Sequence, residues 1–111
     1  MNVRKVSDKA VLIYHEKLTL EKGLVSERKV WKLSPSDRYP IGYKYRLVLA
    51  NSKNHEVILL HDNHWPKGPH VHCGENERKY EFVSLEKVLL DFIQESELEE
   101  RRYHENKENN D

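Results

Sequence analysis

From Tyr43 to Leu60 the chain spells out a β-hairpin, and in so short a chain that commits the fold to a sheet. Tyr43, Tyr45, Leu47 and Leu49 alternate with Lys44, Arg46 and Val48, the period-two pattern of a strand with one buried face. Asn51-Ser-Lys-Asn54 carries turn chemistry, and Glu56-Val-Ile-Leu-Leu60 returns as an apolar strand. Upstream, Ala10 to His15 is a short apolar run. Val25 to Leu33 mixes Val25, Val30 and Trp31 with Arg28, Lys29 and Lys32, as on a half-exposed strand. Ser34 to Pro40 is rich in turn residues, and Tyr80 to Val83 reads as a last short strand.

The periodicity then changes. Ser84 is placed to cap a helix, with Glu86 in the first turn, where the helix dipole favours an acid. Leu85, Val88, Leu89, Phe92 and Ile93 follow the spacing of an amphipathic helix. Beyond Glu97 the apolar stripe fades. The predicted fold class is α+β: a curved antiparallel sheet of about five strands with one C-terminal amphipathic helix packed on it. Residues 1–97 form the single domain, and residues 98–111 are predicted to be an acidic, frayed or disordered tail.

Composition narrows the function classes. Apolar residues make up 37% of the 111, so the core must be thin. Cys73 is the single cysteine, which excludes an intrachain disulfide and a cysteine-cluster zinc site. No apolar run approaches the roughly 20 residues of a membrane span. Met1 to Lys9 is basic and lacks a signal peptide's apolar run. A cytoplasmic location, with no membrane contact, is the expectation. The net charge is zero, but residues 1–93 carry 16 Lys/Arg against 12 Asp/Glu and residues 94–111 carry 3 against 7. A basic body with an acidic tail suits a protein that meets nucleic acid; the same numbers also describe an ordinary solvated surface.

Four of the seven histidines fall in one stretch, His61-Asp-Asn-His-Trp-Pro-Lys-Gly-Pro-His-Val-His72. Imidazole both takes and gives a proton near neutral pH. Metal-independent RNA cleavage needs a base for the 2′-hydroxyl, an acid for the leaving 5′-oxygen and a cation for the phosphorane. His70 and His72, two residues apart, point to one side of an extended segment and supply the pair. Lys67, before Gly68, supplies the cation, and Asp62 can orient an imidazole. In a Gly- and Pro-rich loop these imidazoles are expected to be exposed.

Two other readings stay open: histidines that are simply solvated and hydrogen-bonded, and a metal site for zinc or another divalent ion drawn from His61, His64, His70 and His72. Arg46 and Lys44, with Asn63 and His64, are candidate nucleic-acid contacts, Arg46 foremost because it lies opposite the core-like face. Tyr43 and Tyr45 read as core rather than as a stacking platform. Trp31 reads as core and Trp65 as a loop anchor or partner contact.

Ile41-Gly-Tyr-Lys-Tyr-Arg-Leu-Val48, Asp62-Asn63, Lys67-Gly68, His70-x-His72, Tyr80-x-Phe82 and Leu89-x-Asp91-Phe92, in that order, resemble the TumE toxin family over about residues 24–93. The chain departs from that pattern at His64-Trp65-Pro66 and at Pro69. The resemblance implies a toxin acting inside prokaryotic cells and encoded beside a helix-turn-helix antitoxin of the TumA type. Combined with the histidines, it makes an endoribonuclease with RNA as substrate and no cofactor the leading expectation. The rivals are a non-catalytic module binding nucleic acid or antitoxin, and a metal-binding hydrolase.

Overall fold

The computed structural model describes residues 9–109; the basic segment up to Asp8 and the last two residues of the tail lie outside them. Six strands form one sheet in chain order, every neighbouring pair antiparallel. They are β1 (Val11–Thr19), β2 (Leu24–Lys32), β3 (Tyr43–Asn51), β4 (Val57–Asp62), β5 (His70–Cys73) and β6 (Asn76–Lys79), followed by helix α1 (Leu85–Asn109). A meander arises because every connection is short enough to return the chain beside the strand it has just left. The fold is the expected curved antiparallel sheet with one C-terminal helix packed on it.

The alternation in β3 decides the two faces. Tyr45, Leu47 and Leu49 are at most 1% exposed. They form the core with Leu24 and Val30 from β2, Leu59 from β4, Val71 from β5, and Val88 and Phe92 from α1. Ser84 caps the helix as predicted, its Oγ accepting from Lys87 N at 3.0 Å. Tyr45 stacks on Phe82 with ring centroids 5.9 Å apart. The tyrosines of β3 therefore serve the core. Trp31 does not: it is half-buried on the opposite face, with Lys44 Nζ 5.4 Å above its ring.

Three predicted boundaries are corrected. Tyr80 to Val83 is not a strand. It has no strand to pair with beyond β6, and it folds back so that Tyr80 Oη donates to Asp91 Oδ2 at 2.6 Å, latching the sheet to the helix. The stretch from His61 to Asn76, which looks irregular in sequence, contains β5 and the turn into β6, making six strands rather than about five. Finally, the helix runs past Glu97 to Asn109. Its buried stripe continues through polar residues, Ser96 and then Tyr103, which packs on the core and accepts from Asn51 Nδ2 at 2.6 Å. Asn51 in turn shapes the β3–β4 turn, its Oδ1 accepting from Lys53 N at 2.8 Å and Asn54 N at 3.2 Å.

Candidate active site on the open face of the sheet

Because α1 covers one face of β3 and β4, the residues that alternate with the core form an uncovered face. Register places them in rows. Lys29, Arg46, Asp62, His70 and Lys79 pair in succession from β2 to β6. Val48, Leu60, His72 and Glu77 form the next row. Adjacent strands lie about 4.8 Å apart, so each row brings side chains from distant parts of the sequence into contact range.

His70 and His72 do share one side of β5, as their spacing predicts, with ring centroids 4.8 Å apart and nearly perpendicular. The expected exposure holds for only one of them. His72 is 34% exposed, whereas the His70 side chain is 8% exposed, sunk between Asp62 and the 63–69 loop. His70 Nδ1 lies 2.7 Å from Gly68 O. A carbonyl only accepts, so Nδ1 carries a hydrogen and, in the neutral ring, Nε2 carries the lone pair. Gly68 reaches this position with φ +73° and has no atom within 4 Å of where a Cβ would stand. Its backbone conformation, rather than crowding, is what favours glycine there.

Asp62 Oδ1 stands 3.0 Å from His70 Nε2, yet it is buried and makes no hydrogen bond. Across the pair, Lys67 Nζ donates to Glu77 Oε1 at 2.7 Å, and the same oxygen lies 3.7 Å from His72 Nε2. The Lys67 hydrogen bond holds the Glu77 carboxyl below its ordinary pKa, with further help from the Lys67 charge and both imidazoles. Lys67, His70, Glu77, Arg78 and Lys79 line a hollow of about 420 Å³. Arg46 lies on the other side, at the edge of a second hollow of about 530 Å³ floored by Val25, Val48 and Ala50. Among the described residues neither Arg46 nor Lys79 has a side-chain hydrogen bond or ion pair.

The remaining candidates are dispersed. His61 precedes Asp62 on β4 and therefore faces the other way, into the core, at 0% exposure. Its Nε2 lies 3.0 Å from Glu95 Oε1, and the rings of Tyr80 and Phe92 are 5.5 and 5.8 Å away. Burial lowers its pKa below the usual histidine value, against the pull of Glu95. His64 is exposed in the loop. The four-histidine metal set is therefore not assembled. Asn63 is buried: its Oδ1 accepts from Tyr45 N at 2.9 Å and its Nδ2 donates to Tyr43 O at 2.8 Å, closing the end of β3. Burial, at 3% exposure, rather than exhausted hydrogen-bonding capacity, keeps its amide away from a ligand. Trp65 is 45% exposed, with the Arg38 guanidinium 4.6 Å above its ring. Cys73 sits on the helix side, where burial, followed by Glu99, pushes its thiol pKa up.

The sequence reading missed Glu77 and Lys79. The available signal was Gly74-Glu75 as a two-residue hairpin turn between alternating segments, which sets His72 opposite Glu77 and His70 opposite Lys79.

The open face thus gathers two adjacent imidazoles, one with a fixed tautomer, beside a carboxylate and several cations. Among the described residues no helix is long and apolar enough to cross a membrane. Comparison with curated proteins and with solved structures gives no match. A family model described as Toxin TumE matches residues 4–102, and the chain belongs to that family, the toxin members of toxin–antitoxin pairs.

Proposed function

We propose that this toxin is an endoribonuclease that cleaves RNA inside the prokaryotic cell by acid–base chemistry at His70 and His72. The observation that carries the reading is the pair itself. His70 presents Nε2 as a base because Gly68 O fixes its tautomer, and His72 stands one ring away. In the reaction, His70 Nε2 removes the proton of the 2′-hydroxyl and O2′ attacks the adjacent phosphorus. The 5′-oxygen leaves with a proton supplied by His72. The products are a 2′,3′-cyclic phosphate and a free 5′-hydroxyl. Asp62 stabilises the imidazolium formed at His70. Lys67 turns from Glu77 to the phosphorane oxygens, and Arg46, Lys44 and Lys79 hold neighbouring phosphates.

The test is cleavage of RNA by the purified chain in EDTA, with the fragment ends analysed. The wild type should give cyclic phosphate ends. His70→Gln and His72→Ala should each lose about 10²–10⁴ in rate while keeping a native circular dichroism spectrum. Undiminished toxicity of both folded variants would rule the mechanism out and leave the non-catalytic binding module. Cleavage that needed a divalent ion would reassign the histidines to metal-dependent hydrolysis.

A toxin of this kind implies an antitoxin, and we infer one of the helix-turn-helix TumA type seated on β1. That edge strand leaves Val11, Leu12, Ile13, Tyr14 and Leu18 between 37% and 60% exposed. Among the described residues no strand pairs with the outer edge of β1, and an edge bearing apolar side chains is what a partner covers by strand addition. The opposite edge, β6, reads Asn-Glu-Arg-Lys and is protected by charge.

A further inference from the structure

We infer that Asp62, His70, His72 and Glu77 also form a binding site for a divalent transition metal, and that the metal-bound toxin is switched off. Geometry brings His70, His72 and Glu77 together, and Asp62 joins them through its 3.0 Å approach to His70 Nε2; the inhibitory consequence rests on the acid–base reading above.

One ligand atom from each of His70, His72 and Glu77 lies within 4.8 Å of the others. Zinc bonds of about 2.0–2.2 Å to nitrogen and oxygen place tetrahedral ligands roughly 3.4 Å apart. Closing the set requires an inward shift of about 1–1.5 Å, set by that same geometry. His72 and Glu77, at 34% and 40% exposure, can supply this by side-chain rotation.

Two further features are those of a metal site rather than of a chance cluster. A ligating imidazole characteristically donates its other ring N–H to a carbonyl or carboxylate, which orients it and raises its basicity; His70 Nδ1 does so to Gly68 O. Asp62 Oδ1 is buried without a hydrogen bond and lies 3.0 Å from His70 Nε2. With Nδ1 committed to Gly68 O, His70 gives Asp62 Oδ1 no hydrogen bond, although Nε2 lies near the spacing of neighbouring metal ligands. A metal ion held beside both atoms would give that oxygen a partner. Two imidazoles with two carboxylates select zinc or a similar transition ion over magnesium or calcium.

Glu77 must give up Lys67 to join the set. That pair is exposed, 57% and 40% for its two side chains, and exposed pairs contribute little. Once bound, the metal holds the lone pairs that His70 and His72 need for proton transfer, so neither can act as base or acid.

The experiment titrates zinc chloride into the EDTA-stripped full chain by calorimetry and, in parallel, follows RNA cleavage by the same samples. One zinc should bind per chain with release of protons, and Glu77→Gln and Asp62→Asn should each weaken it at least tenfold. Wild-type cleavage should fall as the site fills and recover with EDTA. The zinc concentration for half-inhibition of Glu77→Gln, relative to its own zinc-free rate, should rise by the same factor as its Kd. No zinc uptake, or uptake unchanged in both variants, overturns the site. Tight uptake with cleavage that rises with zinc and stops with EDTA supports the site, overturns the switch, and also rejects acid–base catalysis. Uptake as predicted with no RNA cleavage under any condition again supports the site and overturns the inhibitory role together with the nuclease reading.

Discussion

His61 and His70 lie in one histidine-rich run but on opposite faces of the sheet, so removing each should produce a different kind of damage. The His61 ring is 0% exposed and packed edge-on against Tyr80 and Phe92. His61→Ala removes that ring from the helix–sheet interface and should cost about 2–4 kcal/mol, the range for large-to-small core changes. At roughly 4 °C or more per kcal/mol for a domain of this size, the melting temperature should fall by about 10 °C.

His61→Leu should behave differently. Leucine keeps most of the apolar contact and removes Nδ1, which is buried without a hydrogen bond. Glu95 loses its imidazole contact but retains Arg78, whose Nη2 donates to it at 2.8 Å. The net change should stay within about 1 kcal/mol, because removing a poorly satisfied buried polar group is close to neutral. Thermal melts and RNA cleavage per folded molecule, measured on both variants and on His70→Gln, separate the two roles. Loss of cleavage in a His61→Leu protein with a native melting temperature would refute the division between a structural and a functional face.

Burial holds the His61 pKa below its ordinary 6.5, so from pH 6.5 downward the unfolded chain takes up a proton that the native chain refuses. Stability should therefore fall with pH in that window by at most about 1.4 kcal/mol per pH unit. Urea unfolding at pH 7.5, 6.0 and 5.0 should show the slope in the wild type and a flatter one in His61→Leu; identical slopes would sink the assignment. Ending the chain after Leu98 removes Tyr103 and leaves Asn51 Nδ2 without its acceptor, which should cost about 1–3 kcal/mol. Ending it after Tyr103 should be nearly neutral, and equal melting temperatures for the two truncations would show that the Asn51–Tyr103 contact is idle. Ile13→Asp with Leu18→Asp on β1 should change stability little, because both side chains are already exposed. The pair should nevertheless abolish relief of toxicity by the co-expressed antitoxin, and full relief would place the antitoxin elsewhere.

The parts of the fold legible in the sequence are those where one residue type serves one purpose. Tyr45, Leu47 and Leu49 are apolar because they are buried, and Ser84 stands where a hydroxyl caps a helix. Legibility fails where a position does two jobs. The buried stripe of α1 passes through Ser96 and Tyr103, polar residues that carry no apolar periodicity, so the helix reads as ending a dozen residues early. β5 is a strand whose outward positions are both histidine, flanked by Pro and Gly, so its functional composition hides its period of two. Tyr80 and Phe82 have the composition of a strand but serve to dock the helix.

The site is legible to the extent that it is local. His70 and His72 are two residues apart, and a strand period suffices to put them together. Glu77, Lys79 and Arg46 join them through strand register, which depends on turn lengths at Gly74-Glu75 and in the 63–69 loop. A shift of one residue in either turn would exchange the faces of the whole strand. His61 shows the same rule from the other side: it is nearer in sequence to Asp62 than any other histidine, yet the alternation of β4 sends the two side chains to opposite faces. Asn63 extends the point, since an amide that looks free for nucleic acid is buried, replacing the strand pairing that Tyr43 and Tyr45 would otherwise lack. In this sheet, proximity along the chain selects different faces and proximity across strands builds the site. A substitution that shifts the β4–β5 register should therefore separate Asp62 from His70 and abolish activity even with every site residue retained.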